Sequence, residues 1–121
     1  MSTRRILVVE DDRPIRETLR ELLEDEGYAV TTAANGKEAL FAIRELGGGC
    51  LVLLDLQMPV MTGEELLESL AHEPDPAVRD VAVLVLTARV EGVLKRNVLG
   101  VIRKPIEVDE LLRTIARHCG D

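Results

Sequence analysis

The chain has 121 residues, with Lys+Arg 15 against Asp+Glu 22 and a formal net charge of −7. That length suits one domain, and 46% hydrophobic residues suffice for a core without disulfide or metal staples. An acidic chain whose only aromatic residues are Tyr28 and Phe41 is a poor match for nucleic acid, which asks for basic grooves and stacking rings, and for an anionic membrane surface. The longest apolar run, Val81 to Leu86, is far too short to span a bilayer. The apolar start, Ile6 to Val9, is too short for a signal peptide. Cys50 and Cys119 fall in strand and helix patterns with no metal-ligand neighbours and read as reduced core residues. A cytoplasmic, single-domain protein is expected.

Short apolar runs alternate with helical periodicity along the whole chain, the signature of a parallel α/β domain. Ile6 to Val9 reads as a strand buried on both faces, stopped by Glu10, Asp11 and Asp12. Ile15, Leu19, Leu22 and Leu23 share one helical face, with Pro14 in the first turn and Gly27 placed to end the helix. Tyr28 to Thr32 reads as a second strand and Asn35-Gly36 as a turn. Ala39, Leu40, Ile43 and Leu46 form the next helical stripe, broken by Gly47, Gly48 and Gly49. Cys50 to Leu54 is a third strand ending at Asp55. Leu66, Leu67, Leu70 and Ala71 line a third helix, and Glu73 to Pro76 reads as a loop. Val81 to Leu86 is a fourth strand ending at Thr87, followed by a weakly patterned helical stretch, Val90 to Asn97, that contains Gly92. Val98 to Ile102 is a fifth strand, bent at Gly100. Val108, Leu111, Leu112, Ile115, Ala116 and Cys119 mark an amphipathic closing helix. Right-handed crossovers then favour a (βα)5 doubly wound open sheet, in which ligands bind beyond the carboxyl ends of the strands.

At those ends stand Glu10, Asp11 and Asp12 after strand one, Asp55 after strand three, Thr87 after strand four and Lys104 after strand five. Each has a plain alternative: Asp12 as the cap of the next helix, Thr87 as a cap, Lys104 as a solvated charge. Asp55 is harder to dismiss, because an unpaired charge at the mouth of an apolar strand is costly. Crowded carboxylates need a cation, and an all-oxygen set suits Mg²⁺. A carboxylate beside that metal can attack phosphorus and form an aspartyl phosphate. Mg²⁺, the Lys104 amine and the Thr87 hydroxyl could each neutralise one phosphoryl oxygen.

Four stretches, Ile6-Leu-Val-Val-Glu-Asp-Asp12, Leu53-Leu-Asp-Leu-Gln-Met-Pro-Val-Met-Thr-Gly63, Leu86-Thr-Ala88 and Lys104-Pro105, closely resemble the receiver domain of bacterial response regulators. The resemblance implies a CheY-like α/β fold with five parallel strands in the order 2-1-3-4-5. Residues 1–121 are expected to form a single receiver domain with no output domain. It implies Asp55 as phosphoacceptor, Asp11 as direct metal ligand with Glu10 as its partner, and the Gln57 backbone carbonyl completing the metal shell. Thr87 and Lys104 match the phosphate-sensing hydroxyl and amine, and Lys104-Pro105 a bond usually cis in the family. Gln57 and Arg89 match positions that tune dephosphorylation. Mg²⁺ is the implied ion, with Mn²⁺ as its substitute. The implied partners are a histidine kinase or histidine phosphotransfer protein and an output protein that the sequence does not name.

Two departures stand out. Thr87 and Lys104 are 17 positions apart, fewer than is usual in the family, and the shortening falls on the fourth crossover helix. Val101 and Ile106 stand where the family commonly carries aromatic rings. A short or irregular fourth helix, a non-standard output face and a monomer are therefore expected. The main alternative is a phosphorylation-independent interaction module. A haloacid dehalogenase-type phosphatase would want an acid where Gln57 stands. A flavodoxin-like FMN site would be repelled by Glu10, Asp11 and Asp12.

Overall fold

The structure is a computed structural model and describes residues 4–56, 61–88 and 98–119. Among these, β1 (Arg5–Val9), α1 (Arg13–Asp25), β2 (Ala29–Ala33), α2 (Gly36–Glu45), β3 (Leu51–Asp55), α3 (Gly63–Ala71), α4 (Pro76–Arg79), β4 (Ala82–Thr87), β5 (Val98–Arg103) and α5 (Val108–His118) follow one another. The five strands form one parallel sheet in the order β2-β1-β3-β4-β5, as expected. The expected helix over Val90 to Asn97 lies outside the described residues.

The three central strands are buried on both faces because their runs are continuously apolar. Alternate residues feed two cores. Leu7, Val9, Val52, Leu54, Val83 and Val85 meet α2, α3 and α4, while Ile6, Val8, Leu51, Leu53, Leu84 and Leu86 meet α1 and α5. Cys50 and Cys119 are free and buried, one in each core, and burial pushes both thiols up.

Caps set the helix starts. Asp12 accepts from Ile15 N at 3.1 Å, which bears out its reading as the α1 cap. Asn35 caps α2, and Thr62 with Glu65 forms a capping box on α3. The segment read as a loop from Glu73 runs instead into α4. Asp75 caps this single turn and Pro76 takes its first position, where a missing N–H costs nothing. In β5 the bend falls one residue earlier than Gly100. Val83 pairs with Val98 and Leu84 with Gly100, so Leu99 is an extra residue in the strand.

The loop after α2 depends on glycine. Gly48 has φ +76°, and a Cβ there would stand 2.0 Å from the Ala77 carbonyl oxygen of α4. Gly47 has φ +60° but open space around it. In urea unfolding, Gly48→Ala is expected to cost about 3 kcal/mol and Gly47→Ala about 1 kcal/mol. Equal losses would mean that backbone conformation alone, and not the α4 contact, demands glycine.

Candidate functional site

Four strands deliver polar groups to one edge of the sheet. Glu10 follows β1 and is held by its own N–H, which donates to the Ala33 carbonyl of β2 at 3.0 Å. Asp55 is the last residue of β3, and it pairs with Leu86, the neighbour of Thr87. Thr87 closes β4, and its carbonyl accepts from Lys104 N at 2.9 Å. That bond fixes the start of the Lys104-Pro105 turn, whose peptide bond is cis, as the resemblance implies. Glu10, Asp55 and Thr87 are the buried polar residues among those described, at 2%, 4% and 6% exposure.

The side chains of Glu10, Asp11, Asp55 and Lys104 converge. The Lys104 amine donates to Asp55 Oδ1 at 3.1 Å, spanning from an edge strand across β4 to β3. One carboxylate oxygen each from Glu10, Asp11 and Asp55 lies within 4.8 Å of the others. Asp11 is exposed, so this cluster opens to solvent on one side. Burial, and then the neighbouring Asp55 and Asp11 carboxylates, push Glu10 up to about 7, against a lowering hydrogen bond from Asp12 N at 3.2 Å. Three acids facing one amine leave negative charge uncompensated. Hard oxygen donors in this number fit a small divalent cation, which would relieve that repulsion.

Glu10, Asp11, Asp55 and Lys104 thus lie together, and Thr87 stands at the end of the adjacent strand. Gln57 and Arg89 lie outside the described residues. Two positioning contacts were not read from the sequence. The Arg16 guanidinium, one turn into α1, donates to the Glu10 carbonyl at 2.9 Å and to the Asp11 carbonyl at 3.4 Å, tying the acidic turn to the helix that follows it. Gly63 donates to the Leu56 carbonyl at 2.9 Å, and a Cβ on it would stand 2.9 Å from the Asp55 carbonyl. The close seat of α3 behind Asp55 therefore requires a residue without a side chain. Gly63 was visible as part of a motif, but the contact it permits was not.

Residues 6–116 match the family model described as response regulator receiver domain. The chain belongs to the response regulator receiver domain family. The receiver is 38% identical over 118 residues to an uncharacterized 14.6 kDa protein of Leptolyngbya boryana, covering 94% of this chain and 88% of that protein. It spans about half the length of other curated relatives it matches, 46–48% of each. Among solved structures it superposes on the Vibrio cholerae chemotaxis protein CheY4 with a TM-score of 0.81 at 30% identity, covering 97% of this chain and 99% of that one. It is also similar to the Thermotoga maritima response regulator TrrA, solved in complex with Mg²⁺-BeF (TM-score 0.75, 33% identity, 94% and 97% covered). The receiver has no helix among its described residues long and apolar enough to cross a membrane.

Proposed function

We propose that this receiver accepts a phosphoryl group on Asp55 from a histidine kinase or histidine phosphotransfer protein, and signals by contact with another protein in the cytoplasm. The observation that carries the reading is the buried Asp55 carboxylate held between one amine and two further acids. Glu10, Asp11 and Asp55, with the Gln57 carbonyl, would hold Mg²⁺, or Mn²⁺ in its place. The bound cation supplies charge neutralisation for phosphoryl transfer. That TrrA was solved with Mg²⁺-BeF supports the choice of ion.

The chain's own residues do the rest. An Asp55 oxygen forms the new bond to phosphorus as the bond from phosphorus to the donor's imidazole nitrogen breaks, and the imidazole leaves. Lys104 already reaches Asp55 and pairs with the charge that arrives there. Thr87, at the adjacent strand end, offers its hydroxyl to another phosphoryl oxygen. The receiver catalyses only its own modification and is not an enzyme acting on external substrates. Val101 is half-buried against the core and carries no ring, so coupling between Thr87 and an aromatic side chain is not available to it. Signalling through a face other than the customary one, and no self-association through that customary face, follow from this reading.

The test is intact-protein mass after incubation with Mg²⁺ and acetyl phosphate. One hydroxylamine-labile phosphoryl adduct, dependent on Mg²⁺, is expected on the wild type and none on Asp55→Asn. No adduct from acetyl phosphate or from histidine kinase donors would leave a phosphorylation-independent interaction module.

A further inference from the structure

The phosphoacceptor chemistry leaves one surface unused. Among the described residues β2 is an outer strand of the sheet, paired only with β1. An open sheet edge is ordinarily blunted by charge, proline or a bulge. Here Ala29–Ala33 is neutral, has no proline and runs in unbroken register with β1. Beside it a groove of about 590 Å³ opens between β2 and α2. Its floor includes Thr31 and Thr32, and its wall is a row on α2 made by Lys37, Phe41 and Glu45. Phe41 is one of two aromatic residues in the chain, and it is 65% exposed.

The charges on that row are placed against the helix. A helix favours acids in its first turn and bases in its last. Glu38 and Arg44 obey this and are engaged, Glu38 with Ala34 N at 2.9 Å and Arg44 with Glu73 at 2.7 Å. Lys37 and Glu45 reverse it, a base at the start of α2 and an acid at its end. Neither forms an ion pair or side-chain hydrogen bond among the described residues. Within one copy these two charges oppose the helix and gain no partner among the described residues.

A two-fold axis resolves that. Rotation about a point beside Phe41 sets Lys37 opposite Glu45 of a second copy, Glu45 opposite its Lys37, and one Phe41 ring against the other. The row from Lys37 to Glu45 covers about 12 Å of helix, and five residues of β2 cover about 13 Å, so strand edge and helix row match in length. The same axis beside Thr31 runs the two neutral β2 edges antiparallel. We propose that the β2–α2 face is the interface of an isologous dimer of this chain, self-complementary in charge and centred on Phe41. The face lies outside the phosphorylation site and does not depend on it.

Charge exchange tests this, read by sedimentation equilibrium over a concentration series reaching near-millimolar, since exposed ion pairs and one ring pair make a weak dimer. Wild type is expected to pass from monomer to dimer along the series. Lys37→Glu alone, Glu45→Lys alone and Phe41→Ser are each expected to weaken association at least tenfold. The double variant Lys37→Glu/Glu45→Lys is expected to regain it, which also shows that the single variants had not merely misfolded. A wild type that stays monomeric throughout overturns the proposal and leaves the groove to a different protein. So does a dimer that the single substitutions leave unchanged, or one that the double variant fails to restore.

Discussion

In Mg²⁺ titrations across pH, the dissociation constant of the wild-type receiver is expected to rise about tenfold for each unit below pH 7 and to level off above it. The cause is Glu10. It is 2% exposed and shares its site with two other carboxylates, which together hold its pKa at about 7 in the metal-free protein. A cation requires the carboxylate, so protons compete for it below that value. Glu10→Gln removes the competing proton, and its Mg²⁺ affinity is expected to be weaker at pH 8 but flat between pH 6 and 8. A wild-type profile as flat as the variant's would remove Glu10 from the metal site. The same shift has a stability side. Because the folded-state pKa lies above the ordinary value of 4.5, the proton stabilises the native state. Metal-free stability is therefore full below pH 4.5 and falls as pH rises to about 7. Relative to Glu10→Gln, the wild type is expected to lose about 3 kcal/mol across that window. Chemical denaturation in EDTA at pH 5 and pH 8 would measure it.

Lys104→Ala is expected to separate phosphorylation from response. The amine stands 3.1 Å from Asp55, whose side chain is 6% exposed, while the lysine side chain is 34% exposed. Removing it takes from a buried carboxylate its cationic neighbour. Because the lysine itself is partly solvated, the metal-free loss is put at about 2 kcal/mol rather than the larger cost of a fully buried pair. Mg²⁺ is expected to recover part of that loss. The variant should still form the Asp55 adduct, more slowly. What it should lose is any change at β5, because Lys104, directly after that strand, is the side chain that reaches Asp55. Amide hydrogen exchange of β5 before and after phosphorylation reads this directly. Equal changes in variant and wild type would show that Lys104 does not carry the response.

Much of this was legible in the sequence for a simple reason. In a parallel sheet covered on both faces, strands are continuous apolar runs, and the first polar residue after each run marks the edge where chemistry can sit. Glu10, Asp55 and Thr87 were legible in that way, and Lys104 one residue further on, after Arg103 and before Pro105. What stayed hidden depends on contacts between distant segments. Pro74 and Pro76 suggested only a loop, although Asp75 with Pro76 is also a good start for a helical turn. The extra residue at Leu99 is a property of the β4–β5 pair, not of either strand. Nothing in the sequence distinguishes Arg16, whose bonds to the Glu10 and Asp11 carbonyls depend on how α1 leaves the acidic turn. Gly48 looked like a helix stop, and the approach of Ala77 gives it a second task.

The sheet also divides its labour unevenly. Four strands lead into the polar groups of the candidate site, whereas β2 ends in Ala33, which contributes one backbone carbonyl to Glu10. The chemistry therefore places few demands on the side chains of β2 and α2. A lineage of such proteins could redraw that flank, residue by residue, while its phosphate chemistry ran unaltered. Who the protein meets and what it does when modified would then be separately inherited traits of one small fold.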